Sequence, residues 1–273
     1  MKPTQIRSGY SPGKTWYEIS GSCSDHAPVV LIHGVGLDSD MWSPQVKKLN
    51  SSFQVVRYDI LGHGRTKSSN INGIASFISQ LVELLIFLKI KKIHLVGLSL
   101  GGVIAQGFAK DYPEKLQSLV LMNTVYQRTE VEKKGMRNRL IITRNEGLEA
   151  IADAAIDRWF DSKFKIKYPH RIKEIHDKLV QNNKQNYIEA YSALLDSDQE
   201  IGSALQTVKC PALIMTGEKD IGSTPQIAQR MAKDLKKARV IILPGLHHLS
   251  SFENPLIVNE QLESFFNDVN KSK

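Results

Sequence analysis

Only two cysteines, Cys23 and Cys210, occur in 273 residues, and they lie far apart. That scarcity excludes a disulfide-built scaffold, and no Cys or His spacing resembles a metal-ligand set. Two free thiols in a reducing cytoplasm is the plainer expectation, with a single bridge between them as the alternative. Long hydrophobic runs are missing too. No stretch approaches the ~18 consecutive apolar residues of a membrane span, and the opening residues MKPTQIRSGYSPGKTWYEISG have no apolar segment of the kind a secretory leader needs. Linkers, repeats and low-complexity tails are likewise absent. The net charge of +8 comes from lysines that are scattered and mixed with acids, as in Lys89-Ile90-Lys91-Lys92 and Lys236-Lys237. No nucleic-acid-binding motif accompanies them, so they read as a solvated surface. A mild bias toward anionic substrates is the other reading of that charge. What remains, with 41% hydrophobic and 23% charged residues, is an ordinary globular composition long enough for one large α/β domain or two modest ones.

The chain is organised around Ile93-His94-Leu95-Val96-Gly97-Leu98-Ser99-Leu100-Gly101-Gly102. A β-branched apolar run meets a glycine, an isolated serine and two more glycines, then a helix-compatible run. Gly97-x-Ser99-x-Gly101 has the spacing of a nucleophile elbow. A strand that turns straight into a helix strains the serine backbone, and side chains two residues either way would collide with the turn. The serine hydroxyl is thereby lifted off the sheet at a helix N-terminus, where backbone N–H groups face an anion.

Around this stretch the sequence alternates strand and helix. Val29-Val30-Leu31-Ile32 reads as a strand buried on both faces, and it ends in the glycine-rich His33-Gly34-Val35-Gly36. Residues 40–49 look helical and residues 54–58 extended. His63, between two glycines, reads as a turn-stabilising residue. A helix is expected over 74–88, with Phe77, Leu81, Leu84, Leu85 and Leu88 on one face, and a strand over 116–122. This rhythm implies a doubly wound, mostly parallel sheet whose right-handed crossovers bring residues 33–36 and 97–101 to one carboxyl edge. From about residue 126 to 205 no strand-like run occurs. Four or so helical patterns replace it, a helical lid inserted at 125–205 between core segments 1–124 and 206–273. Tyr126, Trp159, Phe160 and Tyr191 either line a pocket beneath the lid or pack its core. Strands resume at 212–216 and 239–243, and a final helix is expected over 255–269.

A serine nucleophile needs a base, and the base needs an orienting acid. Asp220 follows the strand ending at Thr216, with Glu218 as a less well placed alternative, and His247 and His248 follow Leu243. The order Ser, Asp, His is that of α/β-hydrolases. The sequence resembles that superfamily over nearly its whole length, through His33-Gly34-Val35-Gly36, residues 59–64, Gly97 to Gly102, residues 217–220 and the loop around His248. It looks most like the 3-oxoadipate enol-lactonase and carboxylesterase branch, although Gln80 stands where many relatives carry an Asp. The resemblance implies His248 as the base, because His248, Glu253 and Pro255 match the family's spacing, and leaves His247 as a loop or pocket-wall residue.

The implied reaction is cleavage of a small-molecule ester or lactone through an acyl-enzyme. Ser99, Asp220 and His248 are the triad, the backbone N–H groups of Val35 and Leu100 form the oxyanion hole at roughly 3 kcal/mol per donor, and no metal or organic cofactor takes part. Nucleic acid and membrane are not expected partners. Competing readings are C–C hydrolysis or perhydrolysis on the same triad, a hydrolase-like ligand receptor, and an inactive scaffold. Asp in place of Ser99 would mark an epoxide hydrolase or dehalogenase, so those are excluded.

Overall fold

The apolar runs pair into one eight-stranded sheet of order β1-β2-β4-β3-β5-β6-β7-β8. The strands are β1 (Arg7–Tyr10), β2 (Trp16–Ser20), β3 (Val29–Ile32), β4 (Val55–Tyr58), β5 (Ile93–Leu98), β6 (Leu116–Met122), β7 (Ala212–Gly217) and β8 (Ala238–Leu243). This computed structural model describes residues 6–21 and 26–271. Cys23 lies outside them; Cys210 is a free thiol.

Strands β3 to β8 run parallel, while β1 and β2 form an antiparallel extension at one edge. Every residue of β3, β5, β6 and β7 is buried, the polar His94, Gln117 and Ser118 included, as in a parallel sheet covered on both faces. β1 was not expected, because Arg7-Ser8-Gly9-Tyr10 has no apolar pattern. Its order comes from the ladder to β2, in which Arg7 pairs with Ile19 and Tyr10 with Trp16.

The core helices are α1 (Ser43–Leu49), α2 (Gly73–Phe87) and α3 (Leu100–Asp111). Helix α2 buries Ile74, Phe77, Ile78, Leu81, Leu84 and Leu85, each worth about 2 kcal/mol removed from water. Between β6 and β7 lie α4 (Glu130–Glu146), α5 (Glu149–Trp159), α6 (Ser162–Lys167), α7 (Pro169–Val180) and α8 (Lys184–Ile201). These are five helices rather than about four. The extra one, α6, is short and lysine-rich, and it breaks at Tyr168 before Pro169, so it carries no readable apolar period. Thr129 and Glu132 close a reciprocal capping box that starts α4. Helix α8 packs on α2 and α3 as well as on α4, which ties the inserted helices to the sheet layer. After β7 come α9 (Pro225–Asp234), then α10 (Ser250–Glu253) and α11 (Pro255–Lys271). No helix among the described residues is long and apolar enough to cross a membrane.

Candidate active site

Ser99 sits between β5 and α3 with φ 55° and ψ −118°, a left-handed conformation that a residue with a Cβ adopts only under strain. Neighbouring glycines make this turn possible. A Cβ on Gly97 would lie 2.1 Å from the Gly101 carbonyl oxygen, and one on Gly101 would lie 2.3 Å from that of Ile32. The Thr124 hydroxyl donates to the Ser99 carbonyl at 2.7 Å and pins the turn from the end of β6.

The loop after β3 is fixed by two buried histidines. His33 donates from Nδ1 to the Gly34 carbonyl at 2.8 Å and accepts the Ile60 N–H on Nε2 at 3.0 Å. His63 donates from Nδ1 to the Leu61 carbonyl at 2.9 Å and accepts the Gly36 N–H on Nε2 at 3.0 Å. Each ring faces one carbonyl and one N–H, so both must be neutral. Burial, reinforced by the nearby His33, pulls His63 from its ordinary 6.5 down to about 3. A ring with a depressed folded pKa stabilises fully above 6.5 and loses that contribution as pH falls toward 3. Urea unfolding should therefore show stability dropping by about 3 kcal/mol from this one ring between pH 6 and pH 4. His63→Asn should flatten that part of the slope.

With this loop in place, the Val35 and Leu100 N–H groups meet no protein acceptor among the described residues. Val35, Gly34 and Ser99 line a cavity of about 320 Å³ together with Asp220 and His248. His248 Nδ1 and Asp220 Oδ2 are hydrogen-bonded at 2.7 Å, with the carboxylate 1% exposed and the imidazole 14%. Burial alone would raise the Asp220 pKa. The charge and hydrogen bond of His248 outweigh it, helped by the Asn123 side chain and the Ser223 N–H, and hold it at about 2. No Ser99–His248 hydrogen bond is formed among the described residues, although the two side chains share the cavity wall. Unliganded catalytic hydrogen bonds commonly close only around substrate. Trp159, on the last turn of α5, stacks on the His248 ring at 6.4 Å between centroids. Among the described residues no group of three or more His, Cys, Asp or Glu is placed to hold a metal ion.

The sequence model of the alpha/beta hydrolase family matches residues 29–261, which span every element of this site. The chain belongs to the alpha/beta hydrolase family. A 3-oxoadipate enol-lactonase 2 of Acinetobacter baylyi is 25% identical over 88% of this chain and 89% of its own length. An (E)-2-((N-methylformamido)methylene)succinate hydrolase of the same organism is 26% identical over 87% of this chain and 89% of its own. Among solved structures, the enol-lactonase from Burkholderia xenovorans superposes with a TM-score of 0.85 and 28% identity, covering 96% of this chain and 100% of that one.

Within this alpha/beta hydrolase the other candidates take minor positions. Glu218 is exposed and accepts the Gly245 N–H at 2.9 Å, supporting the turn after β8. His247 is a loop residue rather than a pocket wall; its N–H donates to Glu253 Oε2 at 2.8 Å and it does not line the cavity. The other oxygen of Glu253 accepts the Asp161 N–H at 2.7 Å, so Glu253 ties the His248 loop to the junction of α5 and α6. Gln80 joins Thr15, the Asp59 carbonyl and the Leu61 N–H, bracing the loop that holds His63. Of the four aromatics singled out in the inserted segment, Trp159 and Tyr191 line the cavity. Phe160 instead packs against Phe164 and Phe252, and the Tyr126 hydroxyl donates to Asp234.

Asn123 escaped the sequence reading. It ends β6 with φ 43°, donates from Nδ2 to Asp220 Oδ2 at 3.0 Å and to the His247 carbonyl at 3.2 Å, and accepts the Ser250 hydroxyl at 2.6 Å. The signal was present: a lone Asn where an apolar strand stops, at the same sheet edge as the acid and the base. Asn123→Ala removes a hydrogen bond to a charged group and orphans the buried Ser250 hydroxyl. A loss of about 2 kcal/mol in urea unfolding is expected, with a lower kcat and little change in KM.

Proposed function

We propose that this chain is a serine hydrolase of carboxylic esters or lactones that works through an acyl-enzyme, with Ser99, His248 and Asp220 as its triad. The observation that carries the reading is a strained serine at a helix N-terminus, facing the same cavity as an imidazole already hydrogen-bonded to a buried carboxylate. Neutral His248 takes the Ser99 proton on Nε2 as Oγ attacks the carbonyl carbon. Asp220 holds the Nδ1–H tautomer and stabilises the imidazolium. The Val35 and Leu100 N–H groups receive the developing oxyanion. His248 then delivers its proton to the departing alkoxide, leaving the acyl group on Ser99. Water, deprotonated by the same ring, attacks the ester and releases the acid, and Ser99 recovers its proton.

The inserted helices, residues 125–205, act in this reading as the lid, since α4, α5 and α8 supply Met136, Trp159, Tyr187 and Tyr191 to the cavity above Ser99. The relatives named above, an enol-lactonase and a succinate-type hydrolase, support water as the acceptor. Two cysteines in the whole chain accord with the cytoplasm as its place of action. A fluorophosphonate probe with peptide mass spectrometry tests the assignment, beside a panel of short esters and lactones. Labelling of Ser99 together with turnover is expected; labelling elsewhere would overturn it.

A further inference from the structure

Arg139 on α4 and Arg158 on α5 both line the cavity that holds Ser99 and His248. Four of the seven buried or half-buried arginines among the described residues end on a carboxylate. Arg57 pairs with Glu18 at 2.9 Å, Arg65 with Asp59 at 3.0 Å, Arg128 with Asp198 at 2.9 Å and Arg230 with Glu132 at 3.0 Å. Arg139 and Arg158 do not. Arg139 donates from Nε to the Tyr191 hydroxyl at 2.7 Å, and Arg158 donates from Nη1 to the Ala154 carbonyl at 2.7 Å. Both acceptors are neutral, and most of the five N–H donors on each guanidinium are left over.

The acids nearby are already engaged. Glu132, on the cavity wall, is held by Arg230 and by the Thr129 N–H. Asp220 is held by His248, Asn123 and the N–H groups of Gly222 and Ser223. Asp157, next to Arg158, is exposed and pairs with Lys165. The rest of the wall is largely apolar and includes Met136, Trp159, Tyr187 and Leu194. Burial disfavours the charged form of Arg158 and the like charge of Arg139 adds to it, while Tyr191, Tyr187 and Asp157 offset this only in part. Two cations that cannot lose their protons thus face a small, largely apolar space, and no carboxylate is hydrogen-bonded to either. A carboxylate entering that space would be met by two planar donor forks, the geometry in which arginine binds carboxylates best.

We propose that Arg139 and Arg158 form an anion subsite in the lid half of the cavity, which takes a carboxylate on the substrate away from the bond that is cut. The substrates are then half-esters of short dicarboxylic acids or lactones bearing a free carboxylate. This rests on the hydrolase reading above and narrows it. A cavity of about 320 Å³ is at the small end for ligand sites, so the chain between carbonyl and carboxylate is short.

Two esters of matched length separate charge from size: monomethyl glutarate and methyl pentanoate. Wild type should show a kcat/KM at least about 10-fold higher for the half-ester, falling as salt rises. Arg139→Met and Arg158→Met should each lower the ratio of the two kcat/KM values by about 10-fold or more, chiefly through the KM of the half-ester. Arg158→Lys, which keeps the charge, should retain part of the preference. Glutarate binding to Ser99→Ala, followed by calorimetry with and without Arg158→Met, needs no turnover. Ester turnover with equal ratios and no glutarate binding would overturn the subsite and leave the hydrolase standing. Arginine-dependent glutarate binding without turnover of any ester would do the reverse, and neither turnover nor binding would remove both.

Discussion

Ser99→Ala is expected to lower kcat for any ester or lactone the protein cleaves by about a million-fold, with KM changed only a few-fold. The size of the effect follows from the attacking atom being removed. Without Oγ no acyl-enzyme forms, and only the oxyanion donors and the bound geometry remain to help water attack directly. Fluorophosphonate labelling should vanish in the same variant. The backbone supplies a second arm. Alanine keeps a Cβ at φ 55°, so Ser99→Ala should unfold at the same urea concentration as wild type. Ser99→Gly removes the Cβ and should be more stable by about 1 kcal/mol, while being equally inactive. That pairing of gained stability with lost activity is what a turn held under strain for chemistry produces. If Ser99→Ala kept activity within 10-fold of wild type, the acyl-enzyme mechanism would have to be abandoned.

The core of this architecture was legible because its strands are buried on both faces. Val29 to Ile32, Leu119 to Met122 and Ala212 to Met215 have no polar interruption, and such runs between helical periods have one common solution. Ser99 was legible for a steric reason, since the glycines around it stand where a Cβ would strike the Gly101 or Ile32 carbonyl. Other features left no local trace. β1 exists through pairing with β2 alone. Asn123 gains its meaning only when β6 ends beside Asp220 and the His247 carbonyl, almost a hundred residues or more away in sequence. Tyr187, Arg139 and Arg158 reach the cavity from three different inserted helices. Helical periodicity marks which face of such a helix is apolar, but not which side chains meet across a space enclosed by several helices. His63 shows the converse. Its position between two glycines pointed to a turn, and the ring does hold one together, through the Gly36 N–H.

Asp220→Asn is expected to lower kcat by about ten thousand-fold, although it changes one atom. The hydrogen bonds around the carboxylate dictate how an amide must sit. Oδ1 accepts the Gly222 and Ser223 N–H groups, both at 2.9 Å. Asparagine keeps its carbonyl oxygen there, because an NH₂ would face two donors. Its NH₂ is then turned toward His248 Nδ1, which must become an acceptor, so the ring proton moves to Nε2. A ring carrying its proton on Nε2 cannot take the one from Ser99. The same NH₂ also meets Asn123 Nδ2, a donor set 3.0 Å from the Asp220 oxygen it replaces, so some stability is lost as well. Acid sensitivity should change in parallel. Asp220 ionises at about 2 in the fold against an ordinary 3.8. A carboxylate depressed in this way contributes its stability above pH 4 and loses it as pH falls toward 2, about 2 kcal/mol in all. Urea unfolding of wild type should therefore weaken over that window by an amount that Asp220→Asn lacks. Equal kcat values for the two proteins across the pH range would mean that His248 needs no partner on Nδ1, and the assignment of Asp220 would fall.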